Sequence, residues 1–297
     1  MRGSLPYPVI AEEVPVLLEN AMKRLEQAEG LDETAEKLVG VVGPAVRPRL
    51  VKNALSGTWL GHRFHPLLVP LPIGFWSGAL IFDLIATRRA RWAADVLVGS
   101  GIAAAVPTAA AGLSDWADAE PEGRRVGLVH LSCNTLALVC YSASLVARLL
   151  GRRKTGVGLG LAGAAAISVG GYLGGHLSYV QGVGVERRRF AGGPKDWTAV
   201  LDAADLAEGA PRVVRADDTD ILLVREGNRL HALWASCTHE GGPLAEGSFA
   251  DGCVTCPWHG STFRLADGHV VRGPAAASQP VYEARVTDGK VEVRAVP

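Results

Sequence analysis

Four long apolar runs, 73–86, 93–113, 127–150 and 156–180, leave this chain few ways to fold. A helix needs about twenty residues to cross the hydrocarbon of a bilayer. In lipid every backbone N–H and C=O must be bonded within the chain, so spans of this composition can only be helical. The first run reaches spanning length only if counted from Pro66, which places Pro66, Pro70 and Pro72 in its first turns, where a missing donor is tolerated. The fourth is crowded with glycine, among them Gly156, Gly160, Gly163 and Gly170, a spacing that allows close helix contact in lipid. A soluble helical domain is the competing reading, opposed by the length of the runs and their scarcity of charge.

The rest of the chain has a different character. Its 297 residues suffice for about two domains, and the predicted division is an amphipathic helical segment over 1–60, a four-span domain over 61–180, a tether over 181–196 and a second domain over 197–297. In the first segment Val14, Leu17, Leu18, Met22 and Leu25 recur at helical spacing, Asp32 and Glu33 open a second helix, and Pro44, Pro48 and Gly57 are expected to break the path. These helices are expected to lie on the membrane surface or pack on a neighbour. Charges run throughout the first thirty residues, so no cleavable signal peptide is expected there. After the tether, alternating residues predict strands over 220–224 and 230–234, parted by Glu226-Gly227-Asn228, and over 281–286 and 290–296, parted by Thr287-Asp288-Gly289. A net charge of zero argues against a nucleic-acid partner held by bulk positive charge.

Between two of these strand groups lie two sulfur-plus-imidazole pairs, Cys237-Thr238-His239 and Cys256-Pro257-Trp258-His259, with 16 residues between His239 and Cys256. Two thiolates for one iron and two neutral imidazoles for another suit a [2Fe–2S] cluster. Zinc is the alternative, since Cys253 and Cys256 have a CxxC spacing, but the single residue between Cys237 and His239 is short for a zinc pair. Cys133 and Cys140 lie seven apart on one face of an apolar helix, and no disulfide framework is expected.

The loops CTHEGGPL and CPWHGSTF make residues 197–297 resemble a Rieske ferredoxin-type domain. The resemblance implies that Cys237 and Cys256 ligate the inner iron and that His239 and His259 ligate the outer, exposed one, where electrons would leave. Quinol-oxidising members carry an extra cysteine in each loop, joined as a disulfide; here those positions are Gly242 and Trp258. They also have a serine and a tyrosine donating toward sulfur, and this chain keeps Ser261 but has Phe263. Fewer donors imply a potential below theirs. His65-Pro66, Pro72-Ile73-Gly74, Asp115-Trp116 and the segment GGHLSYVQGVGV make residues 60–185 resemble an uncharacterised bacterial four-helix membrane domain, which brings no activity with it. The fold class expected is therefore multidomain, a four-helix transmembrane bundle followed by a small antiparallel β Rieske fold.

Four spans return the chain to its starting side. Arg88, Arg89 and Arg91, then Arg152, Arg153 and Lys154, occupy the two opposite loops, whereas 114–122 is acidic, so short-loop counting puts the Rieske domain outside the cytoplasm. Arg152-Arg153 ahead of a weakly apolar helix also resembles a twin-arginine export signal. Arg187, Arg188 and Arg189 after the last span, and the need to export the first sixty residues, oppose this. Threading brings His65, His130 and His176 to the depth facing the Rieske domain, with Asp115 and Trp116, as a candidate quinone site, proton relay or haem pair, against simple interfacial anchoring. Asp83 is expected to be structural, within reach of Arg88 or Arg89.

These readings predict a membrane-bound one-electron carrier between a membrane or flavin reductant and a redox partner protein. The alternatives are a quinol-oxidising subunit and a redox sensor without catalysis. A full oxygenase is not expected, because only residues 260–297 follow His259.

Overall fold

The computed structural model describes residues 10–85 and 87–296; residues 1–9, 86 and 297 and the side chains of residues 10–16, Val14 among them, lie outside the described residues. The described chain divides into two compact units. One comprises the chain to Gly43, Val69–Thr108 and Ala119–Val183; the other comprises Pro44–Leu68, Ala109–Asp118 and Gly184–Pro297.

Among the described residues, four helical stretches are long and apolar enough to cross a membrane: Phe64–Ile85, Arg88–Trp116, Pro121–Leu149 and Arg153–Tyr179. The first joins a short helix, α4 (Phe64–Leu68), to α5 (Pro70–Ile85); the others are α6, α7 and α8. Pro70 and Pro72 lie in the opening turn of α5, where their missing donors cost no helical bond. Gly156, Gly163, Gly170 and Gly174 of α8 face α7. A Cβ on Gly163 would lie 2.8 Å from the ring of Tyr141, and one on Gly156 would lie 2.6 Å from Cγ of Arg148. Small residues thus bring two backbones together where lipid supplies no hydrophobic drive. Tyr141 in turn stacks on Trp76 of α5, with centroids 4.1 Å apart.

One end of the bundle is held by a network of charges. Arg148 of α7, 1% exposed, forks onto Asp83 of α5, 3% exposed, with Nη1–Oδ1 at 2.9 Å and Nη2–Oδ2 at 2.5 Å. Arg148 also reaches Asp95 of α6 at 3.2 Å, and Arg153 of α8 pairs with both aspartates. All four spans are tied at one level. Asp83 is therefore structural, but its partners are Arg148 and Arg153, not Arg88 or Arg89. The latter two are exposed, and a carboxylate this buried needs a desolvated fork directly against it.

Helices α1 (Ile10–Glu26) and α2 (Asp32–Val46) pack on neighbours within the same unit. Asp32 accepts both arms of Arg125 at 2.6 and 2.7 Å, and Glu26 accepts from His176 at 2.7 Å and Gln181 at 3.0 Å. Pro44, expected to break the path, instead sits in the last turn of α2.

The second unit holds α3 (Arg49–Ser56), opened after Pro48 and closed by Gly57 at φ 82°, together with ten antiparallel strands. They form three sheets. The first is β1 (Thr198–Asp202), β10 (Lys290–Ala295) and β9 (Tyr282–Thr287); the second is β2 (Arg212–Ala216), β3 (Thr219–Glu226) and β4 (Arg229–Trp234). The third is β5 (Ser248–Ala250), β6 (Cys253–Thr255), β7 (Thr262–Arg264) and β8 (Val270–Arg272). Thr287 pairs with Lys290 across Asp288 and Gly289, at φ 49° and 76°, the left-handed pair a two-residue hairpin demands. The inner faces bury Ile221 and Leu223 beside Val291 and Val293, and Leu222 and Leu233 beside Val254 and Phe263.

The charge network generates a prediction. Arg148→Met strands the Asp83 carboxylate and should lower the unfolding free energy in detergent by about 3 kcal/mol. Asp83→Leu combined with Arg148→Met should recover most of that loss, as read by circular dichroism on thermal or denaturant unfolding.

Candidate metal centre

The two motif loops are built alike. Cys237 follows β4 and Cys256 follows β6. Cys237 N donates to Gly242 O at 2.8 Å and Gly241 N returns to Cys237 O at 2.8 Å; Cys256 N donates to Ser261 O at 2.8 Å and Gly260 N returns to Cys256 O at 3.1 Å. Each cysteine thus heads a tight turn closed by a left-handed glycine, Gly241 at φ 83° and Gly260 at φ 72°.

The turns aim donors at sulfur. The backbone N–H of His239 and the Ser261 hydroxyl donate to Cys237, and those of Trp258 and His259 donate to Cys256. The two thiols also share a hydrogen bond. That bond, with the two backbone N–H groups, holds the Cys256 thiol down at about 6, against burial, whereas the same shared bond and burial push Cys237 up. On the same edge the rings of His239 and His259 stand 4.9 Å apart, nearly perpendicular. Paired buried sulfurs with N–H groups converging on them, beside two imidazoles, fit a thiolate-and-imidazole-bound cluster.

Further residues hold the loops. Gln279, buried, donates to the carbonyls of Trp234 and Ser236 at 2.7 Å each and accepts from Thr238 N at 3.1 Å. Ser261 Oγ accepts from Ala275 N at 3.0 Å. Arg272 Nη1 donates to Gly260 O at 2.7 Å, reaches His259 O at 3.5 Å, and reaches Gly273 O at 3.0 Å. Where quinol-oxidising relatives carry a loop disulfide, a Cβ on Gly242 would lie 2.7 Å from the Cys256 sulfur and 3.1 Å from the Trp258 ring, so the indole lies against the glycine.

The two imidazoles are not equally placed, which corrects the expectation that both are exposed. His259 is half-buried, but His239 is 3% exposed. Its imidazole is held well below the ordinary value, first by burial and then by the positive charges of Arg63, His259, Lys52 and Arg187. Arg187 is locked beside it, its N–H donating to Thr238 O at 2.9 Å, and Glu186 accepts from Ala277 N at 2.9 Å. Glu240, with Oε1 3.9 Å from His239 Nε2, joins the two histidines as a third acceptor group at the site. Its adjacency to His239 in the sequence was the available signal. Nothing in the spacing pointed to Gln279, Arg272 or Arg63, which come from distant segments.

The membrane histidines are engaged in packing. His130 bonds Gly170 O at 2.7 Å through Nδ1 and Asn134 at 2.9 Å through Nε2, and His176 bonds Glu26. His65 approaches Gly112, where a Cβ would lie 2.8 Å from its ring.

Residues 196–283 match the Rieske [2Fe-2S] domain family, and 61–187 match the family described as Predicted membrane protein (DUF2231). Ferredoxin CarAc of Metapseudomonas resinovorans is 31% identical over 98 residues, 33% of this chain and 92% of that ferredoxin. The chain belongs to the Rieske [2Fe-2S] family. Its Rieske domain is also similar to Apoptosis-inducing factor 3 of Homo sapiens, 36% identical over 97 residues, 33% of this chain and 16% of that protein. The cytochrome b6-f complex iron-sulfur subunit of Chlorobaculum tepidum is 32% identical over 95 residues, 32% of this chain and 51% of that subunit. The chain therefore spans a small part of the first and about half of the second. The cofactor is a Rieske-type [2Fe–2S] cluster, as in the family and the ferredoxin relative, and the chain is a multi-pass membrane protein.

Gln279→Leu keeps the volume but orphans two buried carbonyls and the Thr238 N–H. It should destabilise the Rieske domain by about 3 kcal/mol in denaturant unfolding and speed loss of iron to a chelator.

Proposed function

We propose that the chain is a membrane-bound one-electron transfer protein. In this reading Cys237, His239, Cys256 and His259 hold the cluster, and electrons pass between a membrane or flavin reductant and a redox partner. The observation that carries it is the convergence of two matching loops, each placing one sulfur under backbone donors and one imidazole on the same edge. When bound, the cluster takes up and gives back a single electron. The chain supplies the setting. N–H groups of His239, Trp258 and His259 stabilise negative sulfur. Burial of His239 keeps water from one side, and His259, beside a Trp258 that is 53% exposed, is the port to the partner.

A quinol-oxidising role finds less support, because the Trp258 ring against Gly242 occupies the place of the loop disulfide and Phe263 lacks the tyrosine hydroxyl. Quinone nonetheless remains one of the proposed reductants. The Rieske domain is proposed to face away from the cytoplasm, supported by Arg88, Arg89 and Arg91 and by Arg152 and Lys154 between spans. Arg153 has a packing role through Asp83 and Asp95, so a twin-arginine reading is not needed to account for it.

Purified from iron-replete cells, the chain should carry two irons and two sulfides and give the EPR of a histidine-ligated [2Fe–2S] centre. Cys237→Ser should abolish that signal, and a zinc-only preparation would exclude the reading. For sidedness, Asp218→Cys in the exposed β2–β3 turn should add labelling by an impermeant maleimide in intact cells; added labelling only after lysis would place the domain in the cytoplasm.

A further inference from the structure

The Rieske family match begins at residue 196, yet the second cluster loop is held by a segment far outside it. β8 is the outer strand of its sheet, paired on one side by β7. A strand so placed leaves the N–H and C=O groups along its other side to be satisfied from elsewhere. Asn53 of α3 covers that side. Its Nδ2 donates to Val271 O at 3.2 Å and its Oδ1 accepts from Gly273 N at 2.9 Å, so one carboxamide supplies the donor and the acceptor that a neighbouring strand would. Arg49 Nε donates to the same Val271 O at 3.2 Å. The contact is closely packed: a Cβ on Gly273 would lie 3.2 Å from Oγ of the fully buried Ser56 and 3.3 Å from Cγ2 of Thr58.

Arg272, between the two gripped residues, carries the hold to His259. Its Nη1 donates to Gly260 O at 2.7 Å and Gly273 O at 3.0 Å and reaches His259 O at 3.5 Å, and its Nη2 donates to Arg47 O at 3.3 Å, just ahead of α3. The helix is itself fixed from a second direction. Lys52 donates to Ser114 O at 3.0 Å and Ser114 Oγ at 3.1 Å and pairs with Asp118. Hydrogen bonds thus run from 114–118 through Lys52 and Asn53 to 271–273, and on through Arg272 to the carbonyls of His259 and Gly260. The first cluster loop is held differently, by Gln279 from inside the family match.

We propose that Asn53 is a positioning residue for His259, contributed from outside the Rieske family match. By covering the open side of β8 it keeps Arg272 where the guanidinium spans the His259 and Gly260 carbonyls, and so fixes the turn that carries the imidazole at the port to the partner. Without the carboxamide, Val271 O and Gly273 N turn to water and the strand edge opens locally. The proposal rests on His259 being a cluster ligand.

The test is residue-resolved hydrogen–deuterium exchange of the full chain in detergent, beside pulsed EPR of the reduced protein carrying 15N-labelled histidine. Asn53→Leu removes both bonds at similar volume. The Cys256 and Gly260 amides, which close the second turn, should exchange about tenfold faster, while the Cys237 and Gly241 amides of the first turn keep their wild-type rates. One of the two histidine nitrogen couplings should shift and the other stay. Asn53→Asp keeps the acceptor for Gly273 N and should give a smaller increase at the same two amides; it carries the test if Asn53→Leu does not fold. Wild-type exchange at Cys256 and Gly260 in both variants would overturn the proposal. So would equal acceleration in both turns, which is what a general loss of stability gives. Absence of histidine nitrogen couplings in the wild type would instead overturn the ligation on which the proposal rests.

Discussion

Everything at the centre depends on placing two cysteine sulfurs side by side in a buried space and supplying donors to both. Negative sulfur away from water is tolerable only if N–H and O–H groups point at it. Here the backbone does most of this, because a cysteine that heads a turn closed at the fourth residue directs the following amides back toward its own side chain. Gly241 and Gly260 permit the two turns, and Gln279 and Arg272 hold them from behind. The fold of the β-domain is, in this sense, a frame for two short loops.

The membrane half obeys the same accounting of polar groups in a different solvent. Lipid offers no partner to a charge, so Asp83 and Arg148 answer one another, and Asp95 and Arg153 complete the network at the end of the spans. The contacts between α7 and α8 come from glycine, since close backbone approach replaces the hydrophobic drive available in water. His130 and His176 belong to this packing through Gly170, Asn134 and Glu26.

What the sequence made legible were features encoded by neighbours in the chain. The cysteine–histidine pairs, the four apolar runs, and the turns at Gly227-Asn228 and Asp288-Gly289 are all local, and each carries its physical reason within a few residues. The short strands β5 to β8 leave no periodic signal in the sequence, because three residues are too few for alternation to show. Proximity along the chain favours Arg88 and Arg89 as partners of Asp83, whereas the packing of the helices delivers Arg148 and Arg153. The family resemblance alone implies an exposed His239, which the structure buries. Two of the charges that act on it, Arg63 and Lys52, come from far away in sequence, where no motif could announce them.

The central claim is that two imidazoles of this chain, His239 and His259, bind one edge of the cluster while Cys237 and Cys256 bind the other. Pulsed EPR on the reduced full-length protein, grown with 15N-labelled histidine in an otherwise 14N background, addresses it most directly. The account predicts two inequivalent nitrogen couplings that both change isotope with the label. Cluster nitrogen couplings that are absent, single or unaffected by the histidine label would contradict it.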